Sequence, residues 1–303
     1  MRFLLSNGYF PAELPPPFQT GDFAKYISST PPDGVPYLFA PGKTPNYVSR
    51  PATYNLARAG SLRRVLSIPN PINFFQLARL MDAKWSILDK HYSKSFNALS
   101  RPAKNMHPVS SRAFEWNGRF KGIASERSAI RSGMRYSLSV DIKSFYPSIY
   151  THSIAWAMHG KSKAQSNTGF DDLLANQFDR LIQNSQSKQT KGLPIGPDTS
   201  FLAAEVILSS IDGILKKEIG SRYFRYLDDY EFCFRTPAEA ESALSNFQEI
   251  ISRFELYANE TKTTIEELPG LLESPWLRQL RSFKIAGFDK PSLQKTDLFD
   301  FLI

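Results

Sequence analysis

The segment that decides the fold is Tyr223-Phe224-Arg225-Tyr226-Leu227-Asp228-Asp229-Tyr230-Glu231-Phe232-Cys233-Phe234. Two adjacent acids stand between runs rich in Tyr and Phe, which favour β-strands, so the pattern predicts a β-hairpin with Asp228 and Asp229 at its turn. Alternation predicts that Phe224, Tyr226, Phe232 and Phe234 share the face that packs on a core. Asp is also a common turn residue, and Tyr-x-Asp-Asp occurs by chance in roughly one chain in twenty-five of this length, so the motif alone decides no function.

A third acid lies in a second strand-like segment, residues 136–142. Leu138, Val140 and Ile142 alternate there with small or polar residues, and Asp141 stands near the end of the run. Three carboxylates at two neighbouring strand ends would suit Mg²⁺, which prefers oxygen ligands. Two such ions about 3.5–4 Å apart could hold the attacking and leaving oxygens of a phosphoryl displacement. The sequence therefore predicts a divalent-metal site.

Three segments resemble motifs A, B and C of reverse transcriptases in their order and spacing. They are Asp141–Tyr146, Gly192–Pro197 and Tyr226–Asp229, and Asn259–Thr263 resembles motif D. More narrowly, Phe145–Lys161 and Gly8–Phe18 are similar to the abortive-infection (Abi) group of bacterial antiphage reverse transcriptases. The resemblance covers most of the chain, and its motifs are specific in combination.

The resemblance implies which residues carry the chemistry. Asp141 and Asp228 would bind two Mg²⁺ ions, or Mn²⁺ in their place, with Asp229 as the weaker ligand and the backbone of Ile142 beside the metal and the triphosphate. Lys262 matches the motif D lysine, which neutralises or protonates the departing pyrophosphate. An exposed surface lysine is the alternative for Lys262.

Other positions would contact the nucleotide. Tyr146 matches an aromatic gate that crowds a ribose 2′-hydroxyl, which implies a preference for deoxynucleotides. Gly192 and Gly196 would let the backbone approach a nucleotide closely, and Pro194 and Ile195 between them become candidate contacts. Many reverse transcriptases have glutamine at the position of Ile195, so this chain lacks a polar contact near the nascent base pair.

A short strand followed by a helix is predicted after residue 62. Arg63 and Arg64 begin the strand and match the fingers strand that presents basic side chains to the incoming triphosphate. Bidentate guanidinium–phosphate pairing would supply the binding chemistry. Exposed strand arginines without that role are the alternative.

Composition narrows the class of protein. A net charge of +8 and a pI near 9.4 favour a polyanionic partner, and residues 50–135 are dense in Lys and Arg with interleaved aromatics, which suits RNA or DNA. A solvated basic surface is the alternative. The single cysteine, Cys233, excludes an internal disulfide, and no run of about 20 apolar residues could span a bilayer. We expect a cytoplasmic protein without a signal peptide or membrane partner.

The expected fold class is α+β, with the fingers and palm of a right-hand polymerase. The palm would be a ferredoxin-like antiparallel sheet covered by helices on one face, and the fingers largely helical. The expected division is a lead-in with fingers in 1–134, a palm in 135–290 with a polar surface insertion of the fingers at 161–191, and a C-terminal remnant in 291–303. A further hairpin is expected within 271–288, and the thumb is expected to be truncated or absent.

The resemblance implies an RNA-directed DNA polymerase acting on dNTPs with bound RNA or DNA. The growing end would be a 3′-hydroxyl or, as in Abi enzymes, a protein hydroxyl extended without a template, in antiphage defence in the bacterial cytoplasm. A noncoding RNA, a defence partner protein and a homo-oligomer stay open. Two alternatives are a catalytically idle nucleic-acid-binding or assembly subunit, and an RNA-dependent RNA polymerase, which typically has Gly where this chain has Leu227.

Overall fold

The computed structural model describes residues 2–15, 17–29, 47–58, 62–104, 112–116 and 123–273. The first half of the chain contains two N-terminal helices, a β-hairpin, a helix pair, a short second hairpin and one further helix. They are α1 (Arg2–Asn7), α2 (Gly21–Ser29), β1 (Ala52–Ala57), β2 (Arg63–Ile68), α3 (Pro71–Ala83), α4 (Trp85–Tyr92), β3 (Pro102–Lys104), β4 (Phe114–Trp116) and α5 (Ile123–Arg131). The strand and the helix predicted after residue 62 are confirmed as β2 and α3.

The second half is built around a four-stranded antiparallel sheet. Its strands are β5 (Tyr136–Asp141), β6 (Tyr223–Tyr226), β7 (Asp229–Phe234) and β8 (Thr264–Glu267), in the spatial order β6-β7-β5-β8. The helices between the strands are α6 (Phe145–Ser148), α7 (Ser153–His159), α8 (Lys161–Ser166), α9 (Leu174–Asn184), α10 (Asp198–Glu218) and α11 (Pro237–Ser252). The connections from β5 to β6 and from β7 to β8 join strands that are not neighbours in the sheet, and helices form both connections.

The predicted hairpin is confirmed, but the predicted buried face is wrong for its first strand. A two-residue turn pairs Tyr226 with Asp229 and Tyr223 with Phe232. Because side chains alternate along a strand, this register places Tyr223 and Arg225 on the core face, and Phe224 and Tyr226 on the opposite face. The alternation of aromatic residues predicted the wrong face because one of the two inward residues of β6, Arg225, is charged.

Aromatic packing holds the core face of the sheet against α11. Tyr230 and Phe232 of β7 meet Phe247 of α11 edge-on, with ring centroids 4.9 and 5.9 Å apart. Helix α11 begins with a capping box, in which the Thr236 hydroxyl accepts from the Glu239 N–H while the Glu239 carboxylate accepts from the Thr236 N–H. The core thereby fixes β5 and β7, whose ends carry the candidate site.

A helix also contacts the opposite face of the sheet. Glu231 of β7 is buried there and accepts hydrogen bonds from Arg127 and Arg131 of α5 at 2.6 and 2.8 Å. We expected helices on one face of the sheet only, whereas α5 contacts the other face. A buried carboxylate with two guanidinium partners is satisfied, which explains an acid inside the sheet.

The segment 161–191, whose polar sequence predicted a surface insertion, is largely exposed up to residue 172 and buried along α9. It forms α8 and α9, and α9 buries Phe178, Leu181 and Ile182 against α3 and α7. Polar side chains of α9 are buried as well, among them that of Gln183, whose Nε2 donates to Thr151 Oγ1 at 3.2 Å. The composition misled because these polar groups are satisfied by partners inside the protein.

Two expectations lie largely or wholly outside the described residues. The hairpin expected within 271–288 is described only to residue 273, and the remnant 291–303 is not described. Within the described ranges, each helix is too short or too polar to cross a bilayer.

Candidate metal and nucleotide site

Three carboxylates converge where β5 ends and β7 begins. Asp141 is the last residue of β5 and lies directly opposite Asp229, the first residue of β7, while Asp228 occupies the turn before it. One oxygen of each carboxylate lies within 4.8 Å of the others. Hard anionic oxygens at this spacing match the ligands that Mg²⁺ and Mn²⁺ prefer. The structure thus brings together the three acids that the sequence singled out.

The electrostatics of the cluster favour a bound cation. Burial raises the pKa of Asp228 to about 7, and the neighbouring charges of Asp229 and Asp141 add to that rise. Burial, followed by the charge of Asp141, also raises the pKa of Asp229. The ammonium of Lys262 opposes both shifts but does not cancel them. Carboxylates with raised pKa values repel one another when ionised, so a divalent ion would relieve the repulsion.

Asp141 is held by the segment that resembles motif D. Its Oδ2 accepts a hydrogen bond from Asn259 Nδ2 at 2.8 Å and lies 3.2 Å from Lys262 Nζ. The Asn259 N–H also donates to the Asp141 carbonyl at 2.7 Å. The Lys262 side chain is 62% exposed, so it can leave the carboxylate at little cost. Sequence reasoning missed Asn259, although it stands in the segment quoted as motif D.

The backbone of Ile142 links β5 to the hairpin turn. Its N–H donates to the Asp228 carbonyl at 3.2 Å, and its side chain is buried in the core. Because the N–H is already engaged, the carbonyl is the backbone group that would face a metal or a triphosphate. The role of Ile142 stays a prediction.

The glycines at 192 and 196 lie in a loop that is held on several sides. Both have left-handed backbones, with φ of +90° for Gly192 and +128° for Gly196. A Cβ on Gly196 would lie 2.3 Å from Cγ of Pro11, so this glycine is needed for close packing on the N-terminal segment. The Ile195 carbonyl accepts from the Ser67 N–H of β2 at 2.8 Å. The loop is therefore held by packing and hydrogen bonds, and its contact with a nucleotide stays a prediction, as does that of Pro194.

The family model for reverse transcriptase (RNA-dependent DNA polymerase) matches residues 79–295, well over half of the chain. The chain belongs to the reverse transcriptase family. This confirms the resemblance of motifs A to C at the level of the family. A reverse transcriptase domain implies nucleotidyl transfer to DNA, and such domains generally use divalent metal ions.

Solved structures similar to this reverse transcriptase include two fungal telomerases. Telomerase from Candida albicans in complex with a TWJ fragment of telomeric RNA matches with a TM-score of 0.49 and 10% identity, over 77% of this chain and 44% of that one. Apo telomerase from Candida tropicalis matches with a TM-score of 0.48 and 9% identity, over 76% of this chain and 45% of that one. The chain thus spans less than half the length of these telomerases. No curated protein matches the sequence.

Tyr146, the residue that resembles the gate of reverse transcriptases, lies on α6 beside the glycine loop. Its ring packs edge-on against Phe145 at 5.5 Å, and its carbonyl accepts from the Leu193 N–H at 2.9 Å. Burial raises the pKa of Tyr146, the charge of Arg112 opposes the rise, and that of Asp228 adds to it. The phenol is therefore neutral at physiological pH. Its role as a gate stays a prediction.

Arg63 and Arg64 lie on β2 and already have partners in the protein. Arg63 Nε donates to Asn55 Oδ1 of β1 at 3.2 Å, and Arg64 lies 3.7 Å from Glu13. Among the described residues, no ion pair joins either arginine to the three carboxylates. Both partners are partly exposed and could be exchanged for a phosphate, so the triphosphate role stays a prediction.

Arg112 is a cation at the site that the sequence did not distinguish from its basic neighbours. Its Nη1 donates to the Gly196 carbonyl at 3.3 Å, and its Nε lies 3.3 Å from the buried carboxylate of Asp198. Asp198 also accepts from the N–H groups of Ala113 and Phe114. One arginine in a basic run has no sequence signal of its own. Only the fold shows that it stands by the loop and Tyr146.

Several other basic residues of 50–135 pair with acids of the same chain. Arg101 lies 3.2 Å from Asp89, and Lys104 lies 3.9 Å from Asp82. Arg127 and Arg131 pair with Glu231. Fewer basic side chains are therefore available to bind nucleic acid than the sequence suggests. The nucleic-acid surface stays a prediction.

Proposed function

We propose that this chain is a DNA polymerase of the reverse transcriptase type, which transfers nucleotides from dNTPs to a 3′-hydroxyl or a protein hydroxyl with two Mg²⁺ ions. The observation that carries the proposal is the convergence of Asp141, Asp228 and Asp229 within 4.8 Å in a family member. In this reading residues 1–134 are lead-in and fingers, 135–290 are the palm, and 161–191 belong to the fingers. Mn²⁺ would fit the same oxygen ligands.

The residues of the chain would act by positioning and by charge. Asp141 and Asp228 would hold both metal ions, which when bound acidify the attacking hydroxyl and neutralise the triphosphate. Asp229 would be the weaker ligand, because it is the most exposed of the three acids. Lys262 would leave Asp141 and pair with the departing pyrophosphate. Arg112 would add positive charge beside the loop that carries Gly196.

The decisive experiment mixes purified protein, Mg²⁺ and labelled dNTPs, with and without RNA or DNA. We expect incorporation by the wild type, loss of it in Asp228→Asn, and wild-type activity in Asp171→Asn, an exposed loop acid that serves as the matched control. Binding of RNA by a wild type that incorporates nothing would instead favour the idle assembly subunit. Preferential use of NTPs would favour the RNA polymerase alternative.

A gate at Tyr146 would make the enzyme select deoxynucleotides. Its ring adjoins the glycine loop through the Leu193 contact, which supports a position near the sugar. Tyr146→Ala should raise NTP incorporation relative to dNTP incorporation by about 10-fold or more, the size expected for losing a steric contact. Tyr146→Phe keeps the ring and should preserve the preference. An unchanged sugar preference in Tyr146→Ala would remove the assignment.

Antiphage defence in the bacterial cytoplasm belongs to the same proposal. It is supported by the similarity of Phe145–Lys161 and Gly8–Phe18 to the Abi group, and by the packing of Pro11 from the second segment on the motif B loop at Gly196. Ile195, in place of glutamine, supports untemplated synthesis. Incorporation of a single dNTP without added template, covalently bound to the protein, would support protein priming. Strict dependence on an added template and primer would contradict it.

A further inference from the structure

A buried ion cluster lies directly behind the Leu227–Asp228 turn. Arg225 of β6 is 0% exposed, and so are Glu205 and Asp212 of α10. Arg225 Nη1 and Nη2 donate to the two oxygens of Glu205 at 2.9 Å each, and Nε donates to Asp212 Oδ2 at 2.9 Å. The two acids are seven residues apart, so they lie on one face of the helix. The guanidinium fork therefore fixes β6 to α10.

The cluster extends to the backbone of the turn. Arg225 Nη1 also donates to the Leu227 carbonyl at 2.9 Å, while the Leu227 N–H donates to Ser100 Oγ at 2.9 Å. Ser100 Oγ in turn donates to Glu205 Oε1 at 3.2 Å. Both backbone polar groups of Leu227 are thus bound by members of one buried network.

Leu227 needs this support because its backbone is left-handed. Its φ is +52°, a conformation that residues with a Cβ adopt at a cost. The next residue is Asp228, whose carbonyl accepts from the Ile142 N–H at the end of β5. Asp228 is therefore fixed from two sides, by β5 in front and by the cluster behind Leu227.

Stability alone does not account for the cluster. One guanidinium faces two carboxylates in the protein interior, and apolar side chains of similar volume often stabilise a core as well as such groups do. What apolar side chains cannot supply is a donor for the Leu227 carbonyl and an acceptor for its N–H. The charge arrangement is thus matched to the conformation of the turn.

We propose that Arg225 and Ser100 are positioning residues for nucleotidyl transfer, holding Leu227 in the left-handed conformation that directs Asp228 toward Asp141. The inference rests on the proposed function. Substitution of Arg225 would leave two buried acids without a cation and could prevent folding, so Ser100 gives the cleaner test. Ser100→Ala removes the acceptor for the Leu227 N–H, along with the hydrogen bonds of Ser100 to Glu205 and Arg225, and leaves the contacts of Arg225 with both acids in place.

The matched control is Ser209→Ala. Ser209 is also a fully buried serine of the cluster, where it accepts a hydrogen bond from Ser95 at 3.0 Å. We expect kcat to fall about 10-fold in Ser100→Ala, equivalent to the loss of one well-aligned contact in the transition state, with KM for dNTP within about 2-fold of wild type. The Mg²⁺ concentration for half-maximal activity should rise. Ser209→Ala should match wild type in kcat and Mg²⁺ dependence while sharing any loss in thermal stability.

Two measurements keep this inference separate from the proposed function. If the wild type is active and both serine variants have the same kcat and Mg²⁺ dependence, the positioning role is overturned. If the wild type incorporates no nucleotide, the proposed function fails, and titration calorimetry with Mg²⁺ or Mn²⁺ still decides the positioning. Affinity reduced several-fold only in Ser100→Ala would support it, whereas equal affinities in the two variants would overturn it.

Discussion

Two acid-rich clusters lie on either side of one hairpin turn, and the protein neutralises them differently. The inner cluster has its own cation, since Arg225 bonds to both Glu205 and Asp212 and is shut off from water. Among the residues that the structure describes, the outer cluster of Asp141, Asp228 and Asp229 makes its ion pair with Lys262, whose side chain is 62% exposed. The inner cluster is therefore neutralised from within the protein, while the outer one favours a cation from outside it. The contrast shows that one fold can neutralise one set of acids with a buried side chain and leave another set open to a cation from solvent.

The largest difference should appear when an outer acid is removed. Asp141→Asn should lower nucleotide incorporation by about 1,000-fold or more, because it removes charge where two metal ions would bind. Asp229→Asn should cost less, since Asp229 is exposed and is expected to be the weaker ligand. Steady-state incorporation rates for the two variants check this order. A larger loss in Asp229→Asn would reverse the assignment of the ligands.

Removing the cation of the inner cluster should mainly cost stability. Arg225→Leu leaves Glu205 and Asp212 buried without a cation, so the free energy of unfolding should fall by about 3–5 kcal/mol. Urea denaturation measures the loss. Replacing Glu205 and Asp212 by Leu in the same protein should recover most of it, because no buried charge remains. Failure to recover stability would mean that the cluster stabilises the fold by more than mutual charge compensation.

The outer cluster should also make metal-free stability depend on pH. The pKa of Asp228 is raised to about 7, so the folded protein holds this proton more tightly than the unfolded chain. Its contribution to stability is therefore complete below about pH 4 and is lost as pH rises toward 7. Thermal unfolding with EDTA should show this loss, and Asp228→Asn should lack it.

Added Mg²⁺ should reverse the loss at pH 8 for the wild type and not for Asp228→Asn. The stabilisation follows from binding to the folded state alone, about 2.7 kcal/mol when the free ion is at 100 times its dissociation constant. A metal-free protein whose stability rises steadily from pH 4 to 8 would contradict the mutual repulsion inferred for the outer acids.

The smallest effect is expected for Lys262. Lys262→Gln removes a partner of Asp141 that is 62% exposed, so folding should change by less than about 1 kcal/mol. If Lys262 serves the departing pyrophosphate, kcat should fall by about 10-fold at saturating dNTP. Single-turnover incorporation separates this effect from product release. Unchanged rates would leave Lys262 as a surface lysine.

Alternation and turn residues were sufficient to predict the hairpin and β5, because a two-residue turn constrains the pairing of β6 with β7 by itself. The convergence of the three acids was also predicted, but it depends on the pairing of β5 with β7, which joins residues far apart in the chain. The inward face of β6 was wrongly predicted because Arg225 is polar, and only tertiary partners make a buried arginine acceptable. The burial of α9 was missed for the same reason, because its polar groups find partners distant in the chain.

The sequence by itself determined the family, the order of the motifs and the identity of the acids that could bind metal, because these are properties of residue type and spacing. Tertiary structure alone decided that Asn259 and Lys262 hold Asp141, that Arg112 stands at the glycine loop, and that Arg225 and Ser100 support the turn. Apart from the contact of Arg225 with Leu227, these contacts join residues far apart in the chain, and no local pattern records them. The fold brings them together because burying a charge requires a partner, wherever in the chain that partner lies.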